Sequence, residues 1–120
     1  MSEERVALVV EDSEDVAFLF ADAVREAGYS TEIVRNGELA LARLEEITPH
    51  LVILDLYLPV VPGTEVLEYI RATPRLAATQ VIVATADSRL ADTLHDIADL
   101  VLVKPIGYNQ LRDLAERLAQ

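Results

Sequence analysis

The chain has 120 residues, of which 52% are hydrophobic, and a formal net charge of −11 at pH 7. A chain of this length forms one domain of ordinary size with its own core. A surface this acidic repels nucleic-acid phosphates and anionic membranes, which argues against direct binding to either. The sequence contains no cysteine, so disulfides, a thiol nucleophile and zinc–thiolate sites are excluded.

The N-terminal stretch Met1-Ser2-Glu3-Glu4 lacks the features of a signal peptide, and no apolar run has membrane-spanning length. We therefore expect a soluble cytoplasmic protein. The chain shows no linker, repeat or low-complexity tail, and it ends with its last predicted helix. These features predict a single domain over residues 1–120 with no output domain attached.

Five short apolar runs are the candidate strands. Each is bounded by turn residues and rich in valine, leucine and isoleucine, which is typical of strands buried on both faces. They are Val6–Val10, Thr31–Arg35, Leu51–Leu56, Gln80–Thr85 and Leu100–Val103. The second run carries charges, which indicates a strand at the edge of the sheet.

Apolar residues with helical spacing follow each strand. The predicted helices run from an N-cap at Ser13 to about Gly28, from Asn36-Gly37 through Ile47, from a first turn at Pro62 to just before Pro74, from a cap at Asp87 or Ser88 over a short segment, and from Tyr108 to Ala119. The residues predicted to face the core are Val16, Leu19, Phe20, Ala23, Val24, Leu39, Ala40, Leu44, Ile47, Val66, Leu67, Ile70, Leu90, Leu94, Ile97, Leu111, Leu114, Ala115 and Leu118.

The alternation of five apolar strands with five helices predicts an α/β fold. Parallel strands need crossover connections, and right-handed crossovers place helices on both faces of the sheet. The sequence therefore predicts a doubly wound, five-stranded parallel sheet.

Four of the predicted strands end in reactive groups. Glu11 and Asp12 follow the first strand, Asp55 ends the third, Thr85 ends the fourth and Lys104 follows the fifth. Each has an ordinary alternative as a helix-start acid, a strand hydroxyl or a surface charge. In a parallel sheet, however, all strand C-termini share one edge, and that edge is where ligands bind. A glycine-rich phosphate loop and a nucleophile elbow are both absent from the sequence.

Three carboxylates at one edge repel one another unless a divalent cation joins them. Ligands that are all oxygen favour Mg²⁺, Mn²⁺ or Ca²⁺. A hydroxyl at Thr85 and an ammonium at Lys104 are suitable donors to phosphoryl oxygens. The pattern therefore indicates Mg²⁺-dependent phosphoryl chemistry, with Asp55 as the nucleophile that forms an aspartyl phosphate. Lys104 is the only lysine beside nine arginines, which suggests a position that needs a compact ammonium.

The sequence resembles the response regulator receiver domain of two-component signalling over essentially its whole length. The matching motifs are Val9-Val10-Glu11-Asp12, Gly28-Tyr29, Asn36–Leu41, Leu54–Pro59, Gly63, Ala84-Thr85-Ala86 and Lys104-Pro105. The resemblance implies a flavodoxin-like fold with strand order 2-1-3-4-5.

The resemblance also implies roles for individual residues. Asp55 would accept phosphate from a sensor histidine kinase or a histidine phosphotransfer protein. The implied Mg²⁺ ligands are Glu11, Asp12, Asp55 and the backbone carbonyl of Tyr57. Thr85 would bind the phosphoryl group, and Lys104 would pair with Asp55 and then with the phosphate, next to a cis bond to Pro105.

The chain departs from the family pattern in its last third. Receivers usually carry an aromatic residue three positions before the lysine, where this chain has Val101. The segment 87–99 is about one helical turn short. Tyr57 and Asp87, two residues after Asp55 and Thr85, are expected to face the phosphoryl group. We therefore expect an altered switching surface or a different switching element.

Three functions remain open from the sequence. The first is a phosphoacceptor switch that acts on a downstream protein target and catalyses only its own phosphoryl transfer and dephosphorylation. The second is a phosphorylation-independent, receiver-like interaction module, which Val101 and the short fourth helix favour. The third is an aspartyl-phosphate phosphatase, which usually has a second acid where this chain has Tyr57. The kinase, the target and the oligomeric state are not fixed by the sequence.

Overall fold

The structure, a computed structural model, describes residues 4–120. Residues 1–3 lie outside the described residues, and with them most of the N-terminal stretch considered for a signal peptide. The strands are β1 (Arg5–Val10), β2 (Tyr29–Val34), β3 (Leu51–Asp55), β4 (Gln80–Thr85) and β5 (Leu100–Val103). The helices are α1 (Glu14–Glu26), α2 (Gly37–Glu46), α3 (Gly63–Ala72), α4 (Ser88–Asp92) and α5 (Tyr108–Leu118), with a 3₁₀ turn at Pro74–Leu76.

The five strands form one parallel sheet in the order β2-β1-β3-β4-β5. This order confirms the predicted fold class, and β2 lies at the edge as its charges indicated. Asp55 is opposite Ala84 across the β3–β4 pair, and Thr85 is opposite Val103 across the β4–β5 pair. The C-terminal ends of the strands therefore meet at one edge.

Helices cover both faces of the sheet. Successive residues of β1 point to opposite sides, so that Leu8 and Val10 join the core under α2 and α3. Ala7 and Val9 join the core under α1 and α5. Every residue of β3 is buried, which is the consequence of its central place in a sheet covered on both faces.

Three residues predicted to face the core are exposed instead. Leu19 is 39% exposed, Leu39 51% and Ile97 38%. In α1 the buried residues include Ala17, Phe20 and Val24, and Leu19 is rotated off this stripe. In α2 the same holds for Leu39 beside Ala40. Small alanines take the buried positions, and a pattern that weights large residues misplaces the stripe.

Several predicted boundaries are also corrected. Strand β2 begins at Tyr29 rather than Thr31 and excludes Arg35. Pro62 is the N-cap of α3 rather than part of its first turn. Ser13 is the N-cap of α1, but its side chain makes no capping bond. Gly28 adopts a φ of 109°, which suits the predicted stop after α1.

Helix α4 is only five residues long and ends before Leu94 and Ile97. The Thr93 hydroxyl donates to the Leu90 carbonyl at 2.8 Å, and the Leu94 N–H turns to Ala91 instead. A threonine that bonds a nearby carbonyl competes with the helical hydrogen bond and ends the helix. Buried Leu94 therefore lies in a turn.

Within residues 4–120, no helix combines the length and the apolar character that crossing a membrane requires.

Candidate functional site

Three acidic side chains lie together at the C-terminal edge of the sheet. Glu11 and Asp12 follow β1, and Asp55 is the last residue of β3. One carboxylate oxygen from each lies within 4.8 Å of the others, and among residues 4–120 this is the acidic group placed to hold a metal ion. Glu11 and Asp55 are buried, whereas Asp12 is exposed. The predicted convergence of the two strand ends is therefore present.

Lys104 provides the positive charge of this cluster. Its Nζ donates to Glu11 Oε1 at 2.6 Å and lies 3.6 Å from Asp55 Oδ2. Glu11 Oε2 accepts the Ser13 N–H at 3.0 Å. Both oxygens of Glu11 are thus occupied, and this pairing makes its burial tolerable because a buried charge without partners is costly.

The carboxyl of Asp55 is tuned by its surroundings. Burial, followed by the nearby charge of Glu11, raises the pKa of Asp55 from 3.8 to about 6. The charge of Lys104 and the Tyr57 N–H, which donates to Asp55 Oδ1 at 3.2 Å, act in the opposite direction. Asp55 is therefore mainly ionised at neutral pH but more basic than an ordinary aspartate, as suits a nucleophile.

Gly63 fixes the strand end that carries Asp55. The Gly63 N–H donates to the Leu56 carbonyl at 2.9 Å. A Cβ at position 63 would lie 2.2 Å from the Asp55 carbonyl oxygen, which no side chain can occupy. The start of α3 therefore packs directly on the backbone of Asp55 because the residue is glycine.

A second set of predicted residues surrounds the acceptor. Thr85 is fully buried at the end of β4, and its Oγ1 accepts the Asp87 N–H at 3.1 Å. Ala86, between them, is exposed. The Tyr57 hydroxyl donates to Asp87 Oδ2 at 2.5 Å, so side chains from the loops after β3 and β4 are joined. This hydrogen bond raises the pKa of Tyr57 and lowers the pKa of Asp87.

The donor set fits a hard divalent cation. Glu11, Asp12 and Asp55 offer carboxylate oxygens only, and the exposed Asp12 leaves one side open for water or a phosphate oxygen. Few carboxylates with open positions are the usual surroundings of Mg²⁺.

A family model described as the response regulator receiver domain matches residues 7–116. The chain belongs to this family. The receiver resembles a probable methanogenesis regulatory protein, FilR2, of Methanothrix harundinacea, with 33% identity over 96% of this chain and 81% of that protein. It is 36% identical to the polar-differentiation response regulator DivK of Brucella anthropi over 71% of this chain and 69% of DivK.

Other relatives are longer proteins. The DNA-binding response regulator MtrA of Mycobacterium leprae is 31% identical over 87% of this chain, which matches only 46% of MtrA. The receiver thus spans about half the length of that relative.

Solved structures agree on the fold. The chemotaxis response regulator CheY4 of Vibrio cholerae superimposes with a TM-score of 0.86 over 97% of this chain and 99% of that one, at 24% identity. A receiver domain of a signal transduction histidine kinase from Syntrophus aciditrophicus gives a TM-score of 0.84 over 95% of this chain and 89% of that one, at 32% identity. The Mn²⁺-bound form of response regulator Rcp1 gives 0.79 over 95% and 91%, at 26% identity.

The positions that depart from the family pattern have clear surroundings in this receiver. Val101 is half-buried and packs against the core on the α2–α3 face. The Lys104–Pro105 bond is cis, as the resemblance implied.

Sequence reasoning missed two polar contacts near the strand ends. Arg35, just after β2, donates from Nε and Nη2 to the Asp12 carbonyl at 3.2 and 2.5 Å. His50, interpreted as a loop residue without a role, accepts the Val6 N–H on Nδ1 at 3.1 Å. Neither contact has a local sequence signal, because both join segments that only the fold brings together.

Proposed function

We propose that this receiver is a phosphoacceptor signalling switch, phosphorylated on Asp55 in a Mg²⁺-dependent reaction and acting through protein–protein contacts. The observation that carries the proposal is the packing of Glu11, Asp12 and Asp55 within 4.8 Å of one another beside the chain's only lysine. An accidental surface cluster would not place two of the three acids in buried positions.

The chemistry follows from the roles of these side chains. A carboxylate oxygen of Asp55 attacks the phosphorus of the donor, and the bond from phosphorus to the donor's nitrogen or oxygen breaks with its electron pair leaving on the donor. Lys104, 3.6 Å from Asp55, balances the charge of the incoming phosphoryl group. The buried Thr85 hydroxyl at the adjacent strand end is a hydrogen-bond donor to a phosphoryl oxygen.

Mg²⁺ bound by Glu11, Asp12, Asp55 and the Tyr57 carbonyl would offset the repulsion between carboxylates and phosphate oxygens. The solved Mn²⁺-bound form of a similar protein, Rcp1, is consistent with a divalent ion here.

The donor in this proposal is a protein: a sensor histidine kinase or a histidine phosphotransfer protein. An open, mostly apolar pocket of about 480 Å³ adjoins the site between α1 and the loop after β5, lined in part by Val16, Leu19, Pro105 and Ile106. The exposed Leu19 is suited to contact an apolar partner surface there. We further propose that the protein is cytoplasmic, contacts neither nucleic acid nor membrane directly, and turns over no external substrate.

Intact-mass analysis after incubation with acetyl phosphate and Mg²⁺ tests the proposal. We expect one phosphoryl adduct that disappears in Asp55→Asn and after chelation of Mg²⁺. Asp22→Asn, an exposed aspartate on α1, is the matched control and should be phosphorylated normally. A generic phosphate ester in the same assay should not be hydrolysed; turnover of the ester would favour the phosphatase.

A second candidate is the phosphorylation-independent interaction module. Val101 in place of an aromatic residue and the five-residue α4 favour it. A folded protein that gains no phosphoryl group and binds no Mg²⁺ would support this function instead.

A further inference from the structure

The loops that follow β3 and β4 are joined by a hydrogen bond between two exposed side chains. Tyr57 lies two residues after Asp55, and Asp87 lies two residues after Thr85. The Tyr57 hydroxyl donates to Asp87 Oδ2 at 2.5 Å. Because the two strands are neighbours, this bond spans the sheet edge beside the acceptor. We call the Tyr57–Asp87 pair the strap.

The strap is connected directly to the acceptor. The backbone N–H of Tyr57 donates to Asp55 Oδ1 at 3.2 Å. One residue therefore touches the acceptor with its backbone and Asp87 with its side chain. A change in charge or position at Asp55 Oδ1 acts on the backbone from which the Tyr57 ring projects.

At its other end the strap holds helix α4. Asp87 is the N-cap of α4, and its Oδ1 accepts the N–H groups of Arg89 at 3.0 Å and Leu90 at 3.1 Å. A helix of five residues has few internal hydrogen bonds, so the cap is a large part of what stabilises it. The two oxygens of Asp87 are thus divided between Tyr57 and α4.

We propose that Tyr57 and Asp87 couple the phosphorylation state of Asp55 to helix α4, an inference that rests on the proposed phosphoacceptor function. In the unphosphorylated protein the strap is closed and α4 is capped. Phosphorylation converts one Asp55 oxygen into an ester oxygen and brings a dianionic group to the sheet edge. The Asp87 carboxylate has no salt-bridge partner among residues 4–120, so it is repelled without compensation, and the cap weakens as the strap opens.

The strap is suited to switching because it opens at little cost. Exposed charged pairs contribute little to stability, so a modest change at Asp55 is sufficient to break one. Val101 has no ring that could change position, whereas Tyr57 supplies an aromatic side chain 56% exposed on the other side of the acceptor. The element that responds in this chain is therefore α4, through its cap.

Amide NMR and hydrogen exchange on the full chain test the coupling, with beryllofluoride and Mg²⁺ as the phosphoryl mimic. In the wild type we expect the mimic to shift the Asp55 and Leu56 amides and to speed exchange at Arg89 and Leu90. In Tyr57→Phe we expect exchange at these two amides to be about three- to tenfold faster without the mimic and to respond little to its addition.

Two control variants separate the strap from general effects. Tyr108→Phe removes a hydroxyl that also donates to a carboxylate, that of Glu26, but on the α1–α5 side, and should behave as the wild type. Asp87→Asn keeps a good N-cap without the charge. We expect it to keep α4 protected and to respond less to the mimic, because the repelled charge is gone.

The outcomes separate the strap from the proposed function. If the mimic shifts the Asp55 and Leu56 amides while Arg89 and Leu90 behave alike in Tyr57→Phe and the wild type, the strap is overturned and the phosphoacceptor stands. If the mimic shifts no amide near Asp55 in the wild type, the phosphoacceptor function fails, and the coupling fails with it.

Discussion

The two ends of the molecule that carry the last helices are built in different ways. On one side, α1 and α5 are thirteen and eleven residues long and pack on each other and on fully buried strand residues. On the other side, α4 has five residues and β5 is a half-exposed edge strand of four. The first side is held by continuous apolar packing and the second by individual polar side chains. Such a region opens locally at lower free energy.

Arg71 shows how the weak side is held. From the last turn of α3 its guanidinium donates to the carbonyls of Ile97 and Thr79 and to Asp99 Oδ2, at 2.6, 3.0 and 2.8 Å. Asp99 Oδ2 in turn accepts the Val81 N–H at 2.7 Å. The segment between α4 and β5 is therefore attached to the rest of the fold through one arginine.

Replacing Arg71 should give the largest effect on this comparison. We expect Arg71→Met to lower the free energy of unfolding by about 3 kcal/mol, because three hydrogen bonds are lost. Hydrogen exchange should rise first in residues 93–103. Arg75→Met is the matched control, since Arg75 also makes three hydrogen bonds, to Leu44, Ile47 and Thr48 on the other side of α3. Faster exchange in 93–103 in the Arg75 variant would contradict the comparison.

Asp55 tests the buried side of the site through pH. Its pKa is raised to about 6, so the folded state binds the proton more tightly than the unfolded state, where it is near 3.8. Its stabilising contribution is therefore present at low pH and lost as pH rises through about 6. We expect metal-free Asp55→Asn to be about 2 kcal/mol more stable than the wild type at neutral pH.

That advantage should shrink as the pH falls to about 4, where Asp55 is protonated in the wild type. Urea unfolding at several pH values measures it. Asp99→Asn, which removes a charge on the weak side, should show no such gain at neutral pH. A gain of equal size at every pH would contradict the pKa argument.

Arg35 tests whether a single polar contact also matters on the rigid side. Its guanidinium holds the Asp12 carbonyl, and we expect Arg35→Ala to weaken Mg²⁺ or Mn²⁺ binding about three- to tenfold, because a misplaced ligand binds less well. Titration with Mn²⁺ followed by electron paramagnetic resonance measures the affinity. Arg25→Ala, on the exposed face of α1, is the control and should bind as the wild type. Unchanged affinity in Arg35→Ala would show that the loop holds Asp12 without it.

The smallest expected effect concerns Val60, in the loop between Asp55 and α3. This β-branched residue has a φ of 67° and is 90% exposed. The left-handed conformation is unfavourable for valine and tolerated by asparagine. We expect Val60→Asn to raise the free energy of unfolding by about 1 kcal/mol. Val60→Ala, which keeps the Cβ, should gain less, and a loss of stability in Val60→Asn would show that the loop conformation is not strained.

The sequence was sufficient for features that depend on local patterns. Strand β4 and strand β5 have the predicted bounds, and the acidic cluster follows from three strand ends in a parallel sheet. The pattern failed where small residues fill a face, as Ala17 does in place of Leu19. It failed again at α4, which ends through a Thr93 hydroxyl and is followed by a segment attached by Arg71. Contacts between distant segments leave no periodic signal in the sequence.

The solitary lysine gives the protein a chemical handle. An amine-reactive ester meets only the N-terminal amine and Lys104, which is 23% exposed and bonded to Glu11. Acylation there would remove the one ammonium of the site, so the yield of the second acyl group reports how accessible that ammonium is. We expect ligands that engage Lys104 to protect it, and a mass spectrum of the labelled protein then becomes a footprint of site occupancy that needs neither a mutation nor a fluorophore.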